Sequence, residues 1–113
     1  MSAYNLTNVH EMADGDEEFV KTVIETFIEE LPPDIKGLNQ AVEYENAQLA
    51  YQYAHKIKPN LELFGLNLMD SVLKIENWRN NMDTEIYEIN QAAQNISDKV
   101  TLAVAELQKD YNL

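Results

Sequence analysis

The sequence predicts an all-α fold, an antiparallel up-down-up-down four-helix bundle with a short N-terminal capping helix. Three observations carry that expectation. Apolar residues recur at steps of three and four through most of the chain, the period of one helix face. Glycine and proline number only three each, too few for a fold built on many tight turns. No stretch shows the apolar-polar alternation of a half-buried strand. At 113 residues the chain supplies one core and not two, so residues 1–113 are read as a single domain.

The first predicted element is a short helix from Thr7 to Ala13, with Leu6, Val9 and Met12 lying over one end of the bundle. Asp14-Gly15-Asp16 breaks it. Asp16 is a good N-cap for the next helix, and Glu17 and Glu18 complement its positive end. A calcium loop is excluded here, because Phe19 stands where that motif needs its turn glycine. From Val20 the apolar series runs Val20, Ile24, Phe27, Leu31, Ile35, Leu38, Val42. Pro32 and Pro33 remove the donors for the carbonyls of Ile28 and Glu29, yet the period survives them, which predicts one bent helix and not two.

Tyr44-Glu45-Asn46 forms the next turn, and Asn46 caps a helix running to about Phe64 on the face Ala50, Ala54, Ile57, Leu61, Phe64. Gly65 suits the left-handed conformation that ends many helices. A third arm is expected from about Asn67 to Asn81, with Leu68, Val72 and Ile75 inward and Trp78 packed near its end. The turn Asn80-Asn81-Met82-Asp83 leads into the most regular series, Ile86, Ile89, Ala93, Ile96, Val100, Ala103, Leu107, Tyr111. From Thr84 to Tyr111 such a helix spans about 42 Å at roughly 1.5 Å per residue. Short connections between long amphipathic helices make neighbours antiparallel, hence the bundle.

Composition narrows the function. The formal net charge is -12, from 20 acidic and 8 basic residues, which repels phosphate backbones and anionic lipid, so neither nucleic acid nor a membrane surface is an expected partner. The absence of cysteine removes disulfides, thiolate nucleophiles and Cys-ligated zinc. The N-terminus has no basic segment followed by an apolar run, so a cytoplasmic chain is expected. Without such a signal, Asn5-Leu6-Thr7 and Asn95-Ile96-Ser97 are chance matches to the glycosylation tripeptide.

Chemistry concentrates in Tyr53-Ala54-His55-Lys56-Ile57-Lys58-Pro59-Asn60. At about 100° per residue, His55 falls off the apolar face and onto a wet stripe with Tyr51, Lys58, Pro59 and Glu62. Histidine is largely uncharged at neutral pH, with an ordinary pKa of about 6.5, and a neutral ring carries one free nitrogen lone pair that can accept a phosphoryl group. Lys58 stands over the same patch, where its ammonium neutralises charge on phosphoryl oxygens, and Lys56 flanks the other side. Glu62, one turn beyond Lys58, is expected to pair with it. On spacing alone, an exposed His with Lys three residues later is common surface decoration.

Ala54-His55-Lys56-Ile57-Lys58, followed by Phe64-Gly65-Leu66, resembles the signature of the histidine-containing phosphotransfer (HPt) family: the phosphoacceptor His, a variable residue, an aliphatic, a Lys, usually a Gly, and a second Gly ten positions after the His. Asp16-Glu17-Glu18-Phe19 leading into Phe27-Ile28-Glu29-Glu30 resembles the helix that precedes the histidine helix in such domains. The likeness covers nearly the whole chain. It departs at Pro59, which stands where the family usually has glycine and deprives the His55 carbonyl of its helical donor.

The resemblance implies a monomeric phosphorelay intermediate with no nucleotide or metal site of its own, and so not an enzyme in the ordinary sense. His55 takes a phosphoryl group from the aspartate of a hybrid sensor kinase's receiver domain and passes it to a response regulator, and the Mg²⁺ belongs to the receiver. Lys58 stabilises the phosphorylated form, while Tyr51, Lys56, Pro59 and Glu62 contribute to docking. Two alternatives stand beside it: a helical module that docks to a receiver or kinase without taking phosphate, and the phosphate-accepting domain of a larger chemotaxis-type kinase. His10, the only other histidine, is read as surface, since Asp14 occupies the place of a zinc-protease helix's second His. Tyr44, Tyr51 and Tyr53 are read as edge-of-core aromatics.

Overall fold

The computed structural model describes residues 2–113. Five helices make up the ordered elements among them: α1 (Thr7–Ala13), α2 (Glu17–Glu43), α3 (Ala47–Leu63), α4 (Met69–Trp78) and α5 (Ile86–Asp110). No strand occurs among the described residues. The helices form an elongated body of 47 × 23 × 22 Å. Helix α2 packs against α3 and α5, α4 packs against the same two, and α1 rests on α2. Among the described residues no helix is long and apolar enough to cross a membrane.

The predicted caps form. Asp16 accepts a hydrogen bond from the Phe19 amide at 3.1 Å, and Asn46 accepts one from the Leu49 amide at 3.1 Å, so each side chain satisfies a donor that the first helical turn leaves free. Helix α2 runs without interruption through Pro32 and Pro33, both exposed. Each interior proline costs about 3 kcal/mol, but Ile24, Phe27, Leu31 and Leu38 are all buried on the opposite side, and each contributes about 2 kcal/mol by leaving water. The apolar stripe therefore outweighs the broken ladder. Helix α3 likewise continues through Pro59 to Leu63.

Gly65 ends the histidine helix for two reasons. Its φ is +63°, and a Cβ there would lie 2.8 Å from the Cβ of Asn5. The close approach is fixed by the Asn5 amide, which donates to the Phe64 carbonyl at 2.8 Å. The chain ahead of α1 is also tied to the far end of α5, through the Ala3 amide to Glu106 at 2.8 Å and the Tyr4 hydroxyl to Asp110. Leu6, Val9 and Ala13 then enter the core, where α1 lies against α2.

Several expectations are corrected. Met12 is 59% exposed, because the buried positions of α1 are Val9 and Ala13 and Met12 falls outside that narrow face. Tyr44 is also exposed, since it lies in the turn after α2 and not along a helix edge. Helix α4 is shorter than the arm drawn from Asn67 to Asn81: Asn67 takes a positive φ of 57° and cannot be helical. Trp78 is buried as expected. At the centre, Phe27 of α2 and Phe64 stack with ring centroids 4.0 Å apart, joining the helix before the histidine to the end of the histidine helix.

Candidate histidine site on the third helix

Ala54 and Ile57 are fully buried on α3, and that fixes the rotation of the helix: His55 and Lys56 must emerge on its outer side. The His55 side chain is 65% exposed. Its Nδ1 lies 3.2 Å from Oε2 of Glu76 on α4, and the other carboxylate oxygen of Glu76 accepts from Lys58 Nζ at 3.2 Å. One acid thus holds the histidine and the lysine together. Glu76 itself is buried, at 8% exposure. A buried carboxylate is costly unless it is paired and hydrogen-bonded, and both of its oxygens are so engaged.

This arrangement bears on which nitrogen is available. An ionised carboxylate only accepts, so in a neutral ring Nδ1 carries the proton and the lone pair falls to Nε2. The engaged atom faces the helix pair, and Nε2 lies across the ring from it. No hydrogen bond among the described residues engages Nε2. An exposed ring with its inner nitrogen held by a carboxylate is the arrangement that also orients metal-binding and catalytic histidines, because the second partner sets both the tautomer and the angle of the ring.

Three further residues complete the patch. Tyr51, one turn before His55, stacks on it with centroids 5.6 Å apart and planes inclined by 17°. The guanidinium carbon of Arg79, just past the end of α4, lies 3.5 Å from the centroid of the Tyr51 ring. Lys56 donates to Asp34 of α2 at 2.9 Å, and that hydrogen bond, with the attraction of the same carboxylate, pushes the lysine above its ordinary range. Asp34 is nearly as buried as Glu76. Among the described residues no buried side-chain nitrogen or oxygen lacks a partner, so the acids that α2 and α4 turn inward are all accounted for.

Of the residues singled out from sequence, His55, Lys58 and Tyr51 come together. Lys56 is drawn to the α2 side of the helix, Pro59 is exposed, and Glu62 is exposed without the expected bond to Lys58, whose ammonium goes to Glu76. The deeper carboxylate wins because it has fewer waters to give up its partner to. His10 is exposed on α1. Glu76, Asp34 and Arg79 escaped sequence reasoning, although the first two carried a signal: Glu76 falls four residues after Val72, and Asp34 between Leu31 and Leu38, each on an otherwise apolar stripe. An acid on such a stripe calls for a cation from a neighbouring helix.

No cluster of three or more His, Asp or Glu side chains among the described residues is grouped to hold a metal ion. Comparison of the chain with family models, curated proteins and solved structures finds no match.

Proposed function

We propose that this chain is a cytoplasmic histidine phosphotransfer protein, a phosphorelay intermediate that carries a phosphoryl group on His55 between receiver domains. The observation that carries the reading is the exposed imidazole whose Nδ1 is held by buried Glu76, which leaves the Nε2 lone pair free for a phosphorus atom. The motif around Ala54-His55-Lys56-Ile57-Lys58 and Gly65 supports the same reading. So does the order of helix packing, which with the short connections favours an antiparallel up-down-up-down course.

In the proposed step Nε2 attacks the phosphorus of a receiver's aspartyl phosphate in line. The Nε2–P bond forms as the P–O bond to the aspartate breaks, and the aspartate leaves as a free carboxylate. The metal of this reaction belongs to the receiver. The ring becomes cationic as it is phosphorylated, with its proton still on Nδ1 and donated to Glu76, whose negative charge stabilises the product. Lys58 then has a choice of acceptors, Glu76 or a phosphoryl oxygen. Return transfer reverses these bonds on a second receiver's aspartate. Phosphoryl transfer of this kind rests on positioning and charge more than on covalent help from the protein, which suits a site of so few groups.

The test is labelling. Incubated with a receiver phosphorylated from labelled donor, the protein is expected to take up acid-labile, base-stable label. His55→Gln abolishes it and His10→Gln does not. Label that survives His55→Gln, or none with any receiver offered, overturns the reading and leaves a helical module that docks to a receiver or kinase without taking phosphate.

A further inference from the structure

The hydrogen bond to Glu76 restrains the His55 ring in its own plane but does little against swinging of the ring out of that plane. The second restraint comes from Tyr51, whose ring lies nearly parallel to the imidazole at 17°. A residue one turn away on the same helix reaches this position naturally. A half-exposed tyrosine at a helix edge, however, has other rotamers to visit. Arg79 removes that freedom by setting its guanidinium 3.5 Å from the centroid of the Tyr51 ring, the close, face-on geometry of a cation–π contact. Arg79 follows α4 directly, three residues after Glu76. The end of α4 thus supplies both restraints, one to the edge of the imidazole and one, through Tyr51, to its face.

We propose that Arg79 and Tyr51 are positioning residues for His55, forming an α4-anchored clamp that holds the imidazole in the orientation presenting Nε2 for attack. The proposal rests on the phosphotransfer reading for its purpose, but the clamp itself is a property of the free protein. Neither residue touches the phosphoryl group. Arg79 acts only through Tyr51, and Tyr51 only through the ring it covers.

The experiment reads the ring and the reaction separately. In the unphosphorylated protein, ring nitrogen shifts of ¹⁵N-labelled His55 and Tyr51–His55 cross-relaxation report the tautomer and the stack. Phosphoramidate, which donates its phosphoryl group with loss of ammonia and needs no receiver, reports reactivity. Arg79→Gln and Tyr51→Leu are expected to weaken the cross-relaxation, average the nitrogen shifts and slow uptake from phosphoramidate about threefold. Tyr51→Phe keeps the ring and retains wild-type signals, as does Arg79→Lys in large part, which separates the clamp from general damage to the fold. If Arg79→Gln leaves ring signals and phosphoramidate uptake unchanged while slowing transfer from a phosphorylated receiver, Arg79 contacts the partner and the clamp is refuted. Wild-type protein inert to both donors would sink the phosphotransfer reading, and the ring signals would still decide on the clamp.

Discussion

At the scale of single residues the site is defined by the sharing of one carboxylate. Glu76 serves His55 and Lys58 at equal distances of 3.2 Å, so a change at any of the three is felt by the others and their effects will not add. Replacing Glu76 with leucine removes a buried charge together with its desolvation cost, and the imidazole and the ammonium are both exposed enough to recover water. Stability is therefore expected to change by no more than about 1 kcal/mol in urea unfolding. The tautomer balance of His55 should move toward Nε2–H, visible in its nitrogen shifts, and phosphoryl uptake should fall about tenfold, the worth of one charge-assisted hydrogen bond. Large unfolding with normal uptake would assign Glu76 to the core and not to the chemistry. Lys58→Ala tests the other arm: phosphohistidine lifetime or onward transfer should drop about tenfold with the helical circular dichroism intact, and unchanged kinetics would remove Lys58 from the mechanism.

At the scale of the helix, α3 carries a proline in its interior for which the packing gives no reason. Pro59 is exposed, and its missing N–H leaves the His55 carbonyl without a helical donor. Pro59→Ala is expected to raise stability by about 2–3 kcal/mol, seen as a higher denaturation midpoint at unchanged slope. An increase in stability with slower transfer to a receiver would show that the proline shapes the docking face, whereas a loss of stability would mean that the backbone there is not helical in the way described. Helix α2 has the opposite device beside the site. A Cβ on Gly37 would lie 2.4 Å from the Tyr53 ring, so glycine gives up helix propensity there to let a neighbouring aromatic lie flat on the helix. The positions of Asp16, Asn46 and Gly65 were readable from sequence because caps and left-handed ends are local chemistry. Met12 and Tyr44 were misread because apolar character says that a residue can be buried, while only the neighbouring helices determine whether anything covers it.

For the whole molecule, the feature that closes the body is the bond from the N-terminal segment to the end of α5. Burial and the adjacent Asp110 carboxylate push the Tyr4 phenol above its ordinary 10.0. A folded value raised above the unfolded one means that the stability contributed is complete below about pH 10 and is lost as the pH rises further. The difference in thermal midpoint between wild type and Tyr4→Phe should thus hold constant up to that pH and shrink beyond it. A difference independent of pH through that range would show that the hydroxyl is not bonded in solution. The same scale explains where the charge lies. In a chain of net charge -12 with 8 basic residues, Lys56 and Lys58 flank the one histidine of α3 and are each paired with a buried carboxylate, while Arg79 lies over Tyr51.

The sequence by itself determined the helices, their caps and the wet stripe on which His55 lies, because each of these follows from residues within a few positions of one another. It did not determine what His55 touches. The carboxylate that holds its Nδ1 comes from α4, twenty-one residues away, and Asp34 and Arg79 meet the histidine helix in the same manner from neighbouring elements. Such pairings depend on how far one helix slides and turns against another, a quantity set by the packing of the whole core and carried by no local period.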